Sequence, residues 1–187
     1  VILGAGESGC GAAVLAKKLG FDVFVSDFGS IAGKYKDMLD KRGILWEERT
    51  HTEELILNAG EVIKSPGIPD EAPMIVKIKS AGIPIISEIE FAGRYTNAKM
   101  ICITGSNGKT TTTSMITHIL MEAKMDPTVM IGAFLPLLNA SHRVGSGDTI
   151  VLESCEYCDS FLNFSPSLAV ILNIEADHLD YFKDLAD

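Results

Sequence analysis

Short apolar runs alternate with helical stripes along the chain. Val1-Ile2-Leu3 ends at a glycine turn, after which Ala12, Ala13, Val14, Leu15 and Leu19 recur at helical spacing. Phe21 to Asp27 alternates apolar and polar residues with period two, as a strand does. The same pattern predicts a helix over Lys34–Arg42, a strand near Ile44–Trp46 and another over Glu61–Lys64. Ser65-Pro66-Gly67-Ile68-Pro69 cannot continue regular structure and must be a loop. A helix over Met74–Ala81 and a strand over Ile83–Ile86 follow. The polar segment Arg94–Ala98 then marks a boundary, giving domains over residues 1–94 and 95–187. The second opens with a buried strand (Met100–Ile103), a glycine turn (Thr104–Lys109) and a helix (Thr110–Ala123). Thr149–Leu152 and Leu168–Leu172 read as strands, and Leu135–Gly147 reads as loop. Strands alternating with helices predict βαβ units, a mostly parallel sheet and the α/β class.

Composition narrows the function classes. The 187 residues are 47% hydrophobic and 22% charged, a globular balance. No apolar run reaches the roughly 18 residues of a membrane span, and no signal peptide is recognisable, which predicts a soluble, cytosolic protein. The four cysteines (Cys10, Cys102, Cys155, Cys158) are irregularly spaced and make no disulfide framework. A net charge of -9 argues against a general nucleic-acid binder. It leaves room for a phosphorylated small molecule, which needs only local N–H groups and a few cations. The start at Val1 and the stop in a charged stretch read as a fragment cut at both ends.

Two glycine turns carry candidate chemistry. Gly4-Ala5-Gly6-Glu7-Ser8-Gly9 is G-x-G-x-x-G between a strand and a helix. In that pattern Gly4 permits a tight turn, Gly6 lets a diphosphate approach the backbone, and Gly9 allows close helix–strand packing. Asp27 stands about 20 residues on, where an acid can bond a ribose hydroxyl or a base. A nicotinamide cofactor is one reading of this turn; glycines serving packing alone is another. Thr104-Gly105-Ser106-Asn107-Gly108-Lys109-Thr110-Thr111 is the second turn. It ends in the G-K-T of a P-loop, although Ile103 stands where the usual spacing wants glycine. Gly105, Ser106, Asn107, Gly108 and Thr111 would cradle ATP phosphates, Lys109 would supply a point charge, and Thr110 would hold Mg²⁺.

Acidic residues follow the later strands. Glu153 lies at the end of the Thr149–Leu152 strand, and Asn173-Ile174-Glu175-Ala176-Asp177-His178-Leu179-Asp180 follows the next one. Both should emerge at the sheet edge where open α/β sheets bind ligands. Glu153 and His178 are therefore candidate catalytic and metal-binding residues, with Glu156 an alternative ligand. The C-x-x-C of Cys155 and Cys158 lacks a second ligand pair for zinc and reads as coincidence.

The two segments Thr104–Thr111 and Asn173–Asp180, in this order and spacing, resemble the Mur ligase family of ATP-dependent amino-acid-adding enzymes. In that family the short P-loop is normal. The resemblance implies a Rossmann-like UDP-binding domain, then a P-loop ATPase domain that is incomplete here, with a C-terminal amino-acid-binding domain absent. It implies ATP and Mg²⁺ as cofactors, and a UDP-N-acetylmuramoyl substrate and an amino acid as partners. The first turn then becomes a UDP site made of Gly4, Gly6, Ser8, Gly9, Asp27, Ser65, Pro66 and Gly67. The reaction implied is phosphorylation of a substrate carboxylate, followed by amine attack on the acyl phosphate. Lys64–Pro69 and Ser87-Glu88-Ile89-Glu90-Phe91 resemble the D-glutamate-adding branch; Glu153–Leu162 resembles the L-alanine-adding branch, and Ile131-Gly132-Ala133 departs from the former. That mixture suggests a hybrid joined near Leu120–Lys124. D-glutamate addition is the main expectation; L-alanine addition or an inactive nucleotide-binding fragment are the alternatives. A folate-polyglutamating ligase would lack the first domain, and an oxidoreductase would leave Lys109 idle.

Overall fold

The computed structural model describes residues 1–155, 162, 164–175 and 183. The chain divides into two compact units, Val1–Tyr95 and Thr96–Asp187. In the first, β1 (Ile2–Leu3), β2 (Phe24–Asp27), β3 (Leu45–Glu48), β4 (Val62–Lys64) and β5 (Ile85–Ser87) form a parallel sheet in the order β3-β2-β1-β4-β5. The helices are α1 (Glu7–Lys18), α2 (Gly33–Asp40), α3 (Glu53–Leu57), α4 (Pro73–Ser80) and α5 (Glu88–Gly93).

The central strand explains its own composition. Ile2 and Leu3 point to opposite faces, as strand neighbours must. Ile2 packs with Ala13, Val25 and Ile63 in one core, and Leu3 packs with Ile56, Val62, Ile75 and Ile78 in the other. A strand covered on both faces reads as an unbroken apolar run. Burying each such side chain contributes about 1.5–3 kcal/mol. The chain runs outward from β1 to β3, then returns to β4 on the other side of β1. The turns after β1 and β4 therefore meet where the strand order reverses, the usual place for a ligand in such sheets.

In the second unit the strands are β6 (Lys99–Thr104), β7 (Thr128–Leu135), β8 (Ala140–Arg143), β9 (Thr149–Glu153) and β10 (Leu168–Ile171). Their order is β10-β6-β9-β7-β8, parallel except for the antiparallel β7–β8 pair. The stretch expected as loop, Leu135–Gly147, holds the end of β7 and the whole of β8. Ala140–Arg143 is an edge strand without a fully buried residue, so it has no apolar alternation to detect. Asp126 fastens this hairpin through Arg143 and the Ser146 N–H.

Helix α6 (Lys109–Glu122) accounts for the threonine run. Thr113 and Thr117 are fully buried, and the Thr117 hydroxyl donates to the Thr113 carbonyl at 2.7 Å. Such back-bonding satisfies a buried hydroxyl that the helix would otherwise leave unpaired. Among the described residues no helix is long and apolar enough to cross a membrane.

Gly9 and Gly11 on α1 give a controlled test of this packing. A Cβ on Gly9 would lie 2.0 Å from the Gly4 carbonyl oxygen, whereas one on Gly11 would meet nothing within 4 Å. Gly9→Ala should lower the stability of the first unit by about 2 kcal/mol or more. Gly11→Ala should raise it by about 0.5–1 kcal/mol. Denaturant unfolding followed by the fluorescence of Trp46, the single tryptophan, reports on this unit.

Candidate functional site

The second unit builds its site by strand order. β6 lies between β9 and β10, with Ile103 level with Glu153 and Thr104 level with Ile171. Parallel strands in that register release the segments that follow them at one edge. Gly105 and Gly108 hold φ of +127° and +88°, in the region that favours glycine. A Cβ on Gly105 would also come within 2.9 Å of the Asn173 carbonyl oxygen. The turn after β6 is thus pressed against the backbone after β10.

Side chains from that neighbouring segment fix the turn's shape. Asn173 Oδ1 accepts from the Asn107 N–H at 2.8 Å, and Asn173 Nδ2 donates to the Asn107 carbonyl at 3.0 Å. The Glu175 N–H donates to Ser106 Oγ at 3.0 Å, and Asn107 Nδ2 donates to Glu175 Oε2 at 3.1 Å. Lys109 Nζ donates to the Gly105 carbonyl at 2.6 Å, folding the lysine back over the turn. Helix α6 opens at Gly108 without a side-chain cap. A helix start of this kind offers backbone N–H groups and a partial positive charge to an anion.

Thr110 and Glu153 meet beside this turn. Thr110 Oγ1 donates to Glu153 Oε2 at 3.3 Å. Gly132 on β7 leaves room for the carboxylate, since a Cβ there would sit 2.9 Å from Glu153 Oε2. Glu153 Oε1 is buried and has no hydrogen-bond partner among the described residues. A buried carboxylate oxygen without a donor is costly unless a cation pairs with it. A hydroxyl and a carboxylate are oxygen donors of the kind Mg²⁺ takes, so these residues fit that ion. No group of three or more His, Cys, Asp or Glu suited to a metal occurs among the described residues. His178 and Glu156, both predicted ligands, and Cys158 lie outside the described residues. Cys155 is exposed, while burial pushes the Cys10 and Cys102 thiols up and makes them poor nucleophiles.

The first unit holds a cavity of about 700 Å³ at its strand-order reversal. Gly4, Gly6, Asp27, Ser65 and Gly67 line it; Ser8, Gly9 and Pro66 are not among its lining residues. Gly4 has φ of +97°, and a Cβ there would lie 2.8 Å from Ser65 Cβ, so the two loops touch. Gly6 faces open space. Ser8 donates its hydroxyl to the buried Glu88 at 3.1 Å. Asp27 accepts from the Ala5 N–H at 2.6 Å and from the Gly29 N–H at 2.7 Å. Its first service is thus to the glycine turn itself. Phe28, Thr50, His51 and Lys77 also line the cavity and belong to no motif. Position after the ends of β2 and β3 is the signal that points to Phe28 and His51.

Comparisons with known proteins agree with this arrangement. The family model of the Mur ligase middle domain matches residues 103–187, and that of the MurD N-terminal domain matches residues 1–74. A UDP-N-acetylmuramoylalanine--D-glutamate ligase of Bacteroides thetaiotaomicron is 58% identical over 185 residues, covering 97% of this chain and 41% of that protein. A UDP-N-acetylmuramate--L-alanine ligase of Caldicellulosiruptor saccharolyticus is 48% identical over 139 residues, 72% of this chain and 30% of that protein. The crystal structure of a UDP-N-acetylmuramate-alanine ligase from Thermotoga maritima superposes with a TM-score of 0.62 at 28% identity, covering 96% of this chain and 42% of that one. The chain spans about two fifths of the length of the D-glutamate ligase it matches. That one relative extends over both sides of Leu120–Lys124, so the mixed motifs require no join there.

The bracket on Asn107 yields a prediction. Asn173→Ala removes both of its hydrogen bonds and leaves the turn to the Glu175 and Lys109 contacts. ATP affinity should fall about tenfold or more with secondary structure unchanged, as read by calorimetry and circular dichroism. Unchanged affinity would show that the turn holds its shape without Asn173.

Proposed function

Because this chain belongs to the Mur ligase family, we propose that it carries the nucleotide-handling part of an ATP-dependent amide ligase of peptidoglycan precursor synthesis. The proposed reaction adds D-glutamate to UDP-N-acetylmuramoyl-L-alanine. The observation that carries the choice is the 58% identity to a D-glutamate ligase across 97% of the chain. The acidic motif Glu153–Leu162 and the 48% identity to an L-alanine ligase favour addition of L-alanine to UDP-N-acetylmuramate as the second reading.

In this reading the cavity beside Gly4, Gly6 and Ser65 takes the UDP moiety, and the turn Gly105–Gly108 takes ATP. The substrate carboxylate attacks the γ-phosphorus, ADP leaves, and the amine then displaces phosphate from the acyl carbon. Such chemistry needs positioning and neutralisation of charge more than covalent help. The start of α6 directs N–H groups at the phosphates, and Lys109 swings from the Gly105 carbonyl to the β/γ oxygens. Thr110 and Glu153 would hold Mg²⁺, which when bound supplies positive charge to the phosphate oxygens. His178 is assigned to a second Mg²⁺ on its motif alone. In this reading the reaction is cytosolic.

The full-length gene product tests the assignment. With ATP, Mg²⁺ and UDP-N-acetylmuramoyl-L-alanine, D-glutamate should yield ADP, phosphate and a new amide. Product only from L-alanine and UDP-N-acetylmuramate would overturn it in favour of the second reading. Lys109→Ala should lower kcat by about 10²-fold or more; a retained rate removes Lys109 from the site. Residues 1–187 alone should bind both nucleotides and form no amide, a point that any ligation by this chain would refute.

A further inference from the structure

One polar cluster at the cavity wall is untouched by the reading above. Ser26 on β2 is fully buried, and its Oγ lies 2.6 Å from Glu47 Oε1 and 2.6 Å from His51 Nδ1. A hydroxyl has one proton to donate. Glu47 also accepts from the Thr52 N–H at 2.7 Å and from the Thr52 hydroxyl at 2.5 Å. Burial works to raise the Glu47 carboxyl, but these hydrogen bonds and His51 outweigh it and hold the carboxyl below its ordinary range. Glu47 is therefore ionised and accepts only, so the Ser26 proton goes to it. His51 Nδ1 must then donate to Ser26 Oγ, because two acceptors do not sit 2.6 Å apart. The neutral ring thus carries its proton on Nδ1 and leaves Nε2 bare.

The surroundings give that bare nitrogen a use. Phe28, just past the end of β2, is 74% exposed and lines the same cavity, so an aromatic face stands open to it. Its ring centroid lies 5.6 Å from that of His51, at 40°. Gly6, at the start of α1, faces open space, the room that a diphosphate approaching the helix N-terminus needs. The base of a nucleoside diphosphate then belongs beyond the end of β2, beside Phe28 and His51.

We propose that Phe28 and His51 read the base in this cavity. Phe28 stacks on the ring, and His51 Nε2 accepts a hydrogen bond from the N3–H of uracil. Cytosine presents a bare N3 in the same place, so two lone pairs would oppose each other, and CDP is rejected. The proposal rests on the reading of this cavity as the UDP site. Ser26, Glu47 and Thr52 act as positioning residues that fix the tautomer.

The geometry also sets a pH dependence. Glu47 and Asp27 are the acids whose charge acts on the ring, and Lys77, which also lines the cavity, is paired with Glu53. Burial pushes His51 down, against the pull of Glu47 and Asp27. Above its pKa the ring keeps Nε2 bare; as pH falls through the pKa, Nε2 gains a proton and can no longer accept. UDP affinity should therefore drop on acidification.

Calorimetric titration with UDP and CDP tests this on the protein, on His51→Asn and on Phe28→Ala. The asparagine amide keeps a donor for Ser26 and removes the Nε2 acceptor. The wild-type protein should prefer UDP over CDP by about tenfold or more, and His51→Asn should bring the two within about twofold. Phe28→Ala should weaken both ligands alike. Titrations at successively lower pH from pH 8 downward, within the range where the fold persists, should show a loss of UDP affinity larger in the wild type than in His51→Asn, a comparison that cancels titration of the diphosphate itself. A UDP preference and pH profile unchanged in His51→Asn would overturn the role of His51 while leaving the UDP site standing. Failure of the wild-type protein to bind UDP at all would overturn the site and this proposal together.

Discussion

The second unit depends on β6 being hydrogen-bonded in parallel to β9 on one side and β10 on the other. That pairing alone brings three separate stretches of chain to one point. The turn after β6 has the glycines and Lys109, β9 ends in Glu153, and the segment after β10 has Asn173 and Glu175. A shift of one residue in the β6–β9 register would carry Glu153 to the other face of the sheet and away from Thr110. Gly105 and Gly132 serve this convergence, one by letting the turn meet the Asn173 backbone, the other by clearing space for the Glu153 carboxylate.

The first unit uses the same principle with different chemistry. β1 lies between β2 and β4, so the turn after β1, the end of β2 and the loop after β4 converge. Here the acid is spent on the scaffold. Asp27 ties the Ala5 and Gly29 N–H groups together, and Ser8 is turned to Glu88. Beside Asp27, the cavity is faced by open backbone at Gly6, by Ser65 and Gly67, and by a wall of Phe28 and His51. The two glycine turns are alike as sequence motifs, yet one presents a roomy pocket and the other a clamped loop.

Much of this was legible in the chain before its structure. The parallel sheets follow from apolar runs such as Ile2-Leu3, which two cores bury from opposite faces. Both glycine turns and the position of Glu153 follow from motif and strand end. Other features leave no local trace. The edge strand Ala140–Arg143 buries no face, so it shows no alternation. Asn173 acts through a bracket on residue Asn107, 66 positions away, which spacing cannot reveal. The state of His51 depends on Ser26 and Glu47, three residues on or near two strands that only the β2–β3 pairing brings together.

Strand register brings Thr110 and Glu153 into contact as the proposed cation-holding pair. A double-mutant cycle on MgATP affinity tests it most directly, using Thr110→Val, Glu153→Gln and the two combined. If both residues hold one ion, either change removes most of the Mg²⁺-dependent gain in affinity and the second adds little, a coupling of about 1 kcal/mol or more. Losses that add to within about 0.3 kcal/mol would show two independent residues and no shared ion.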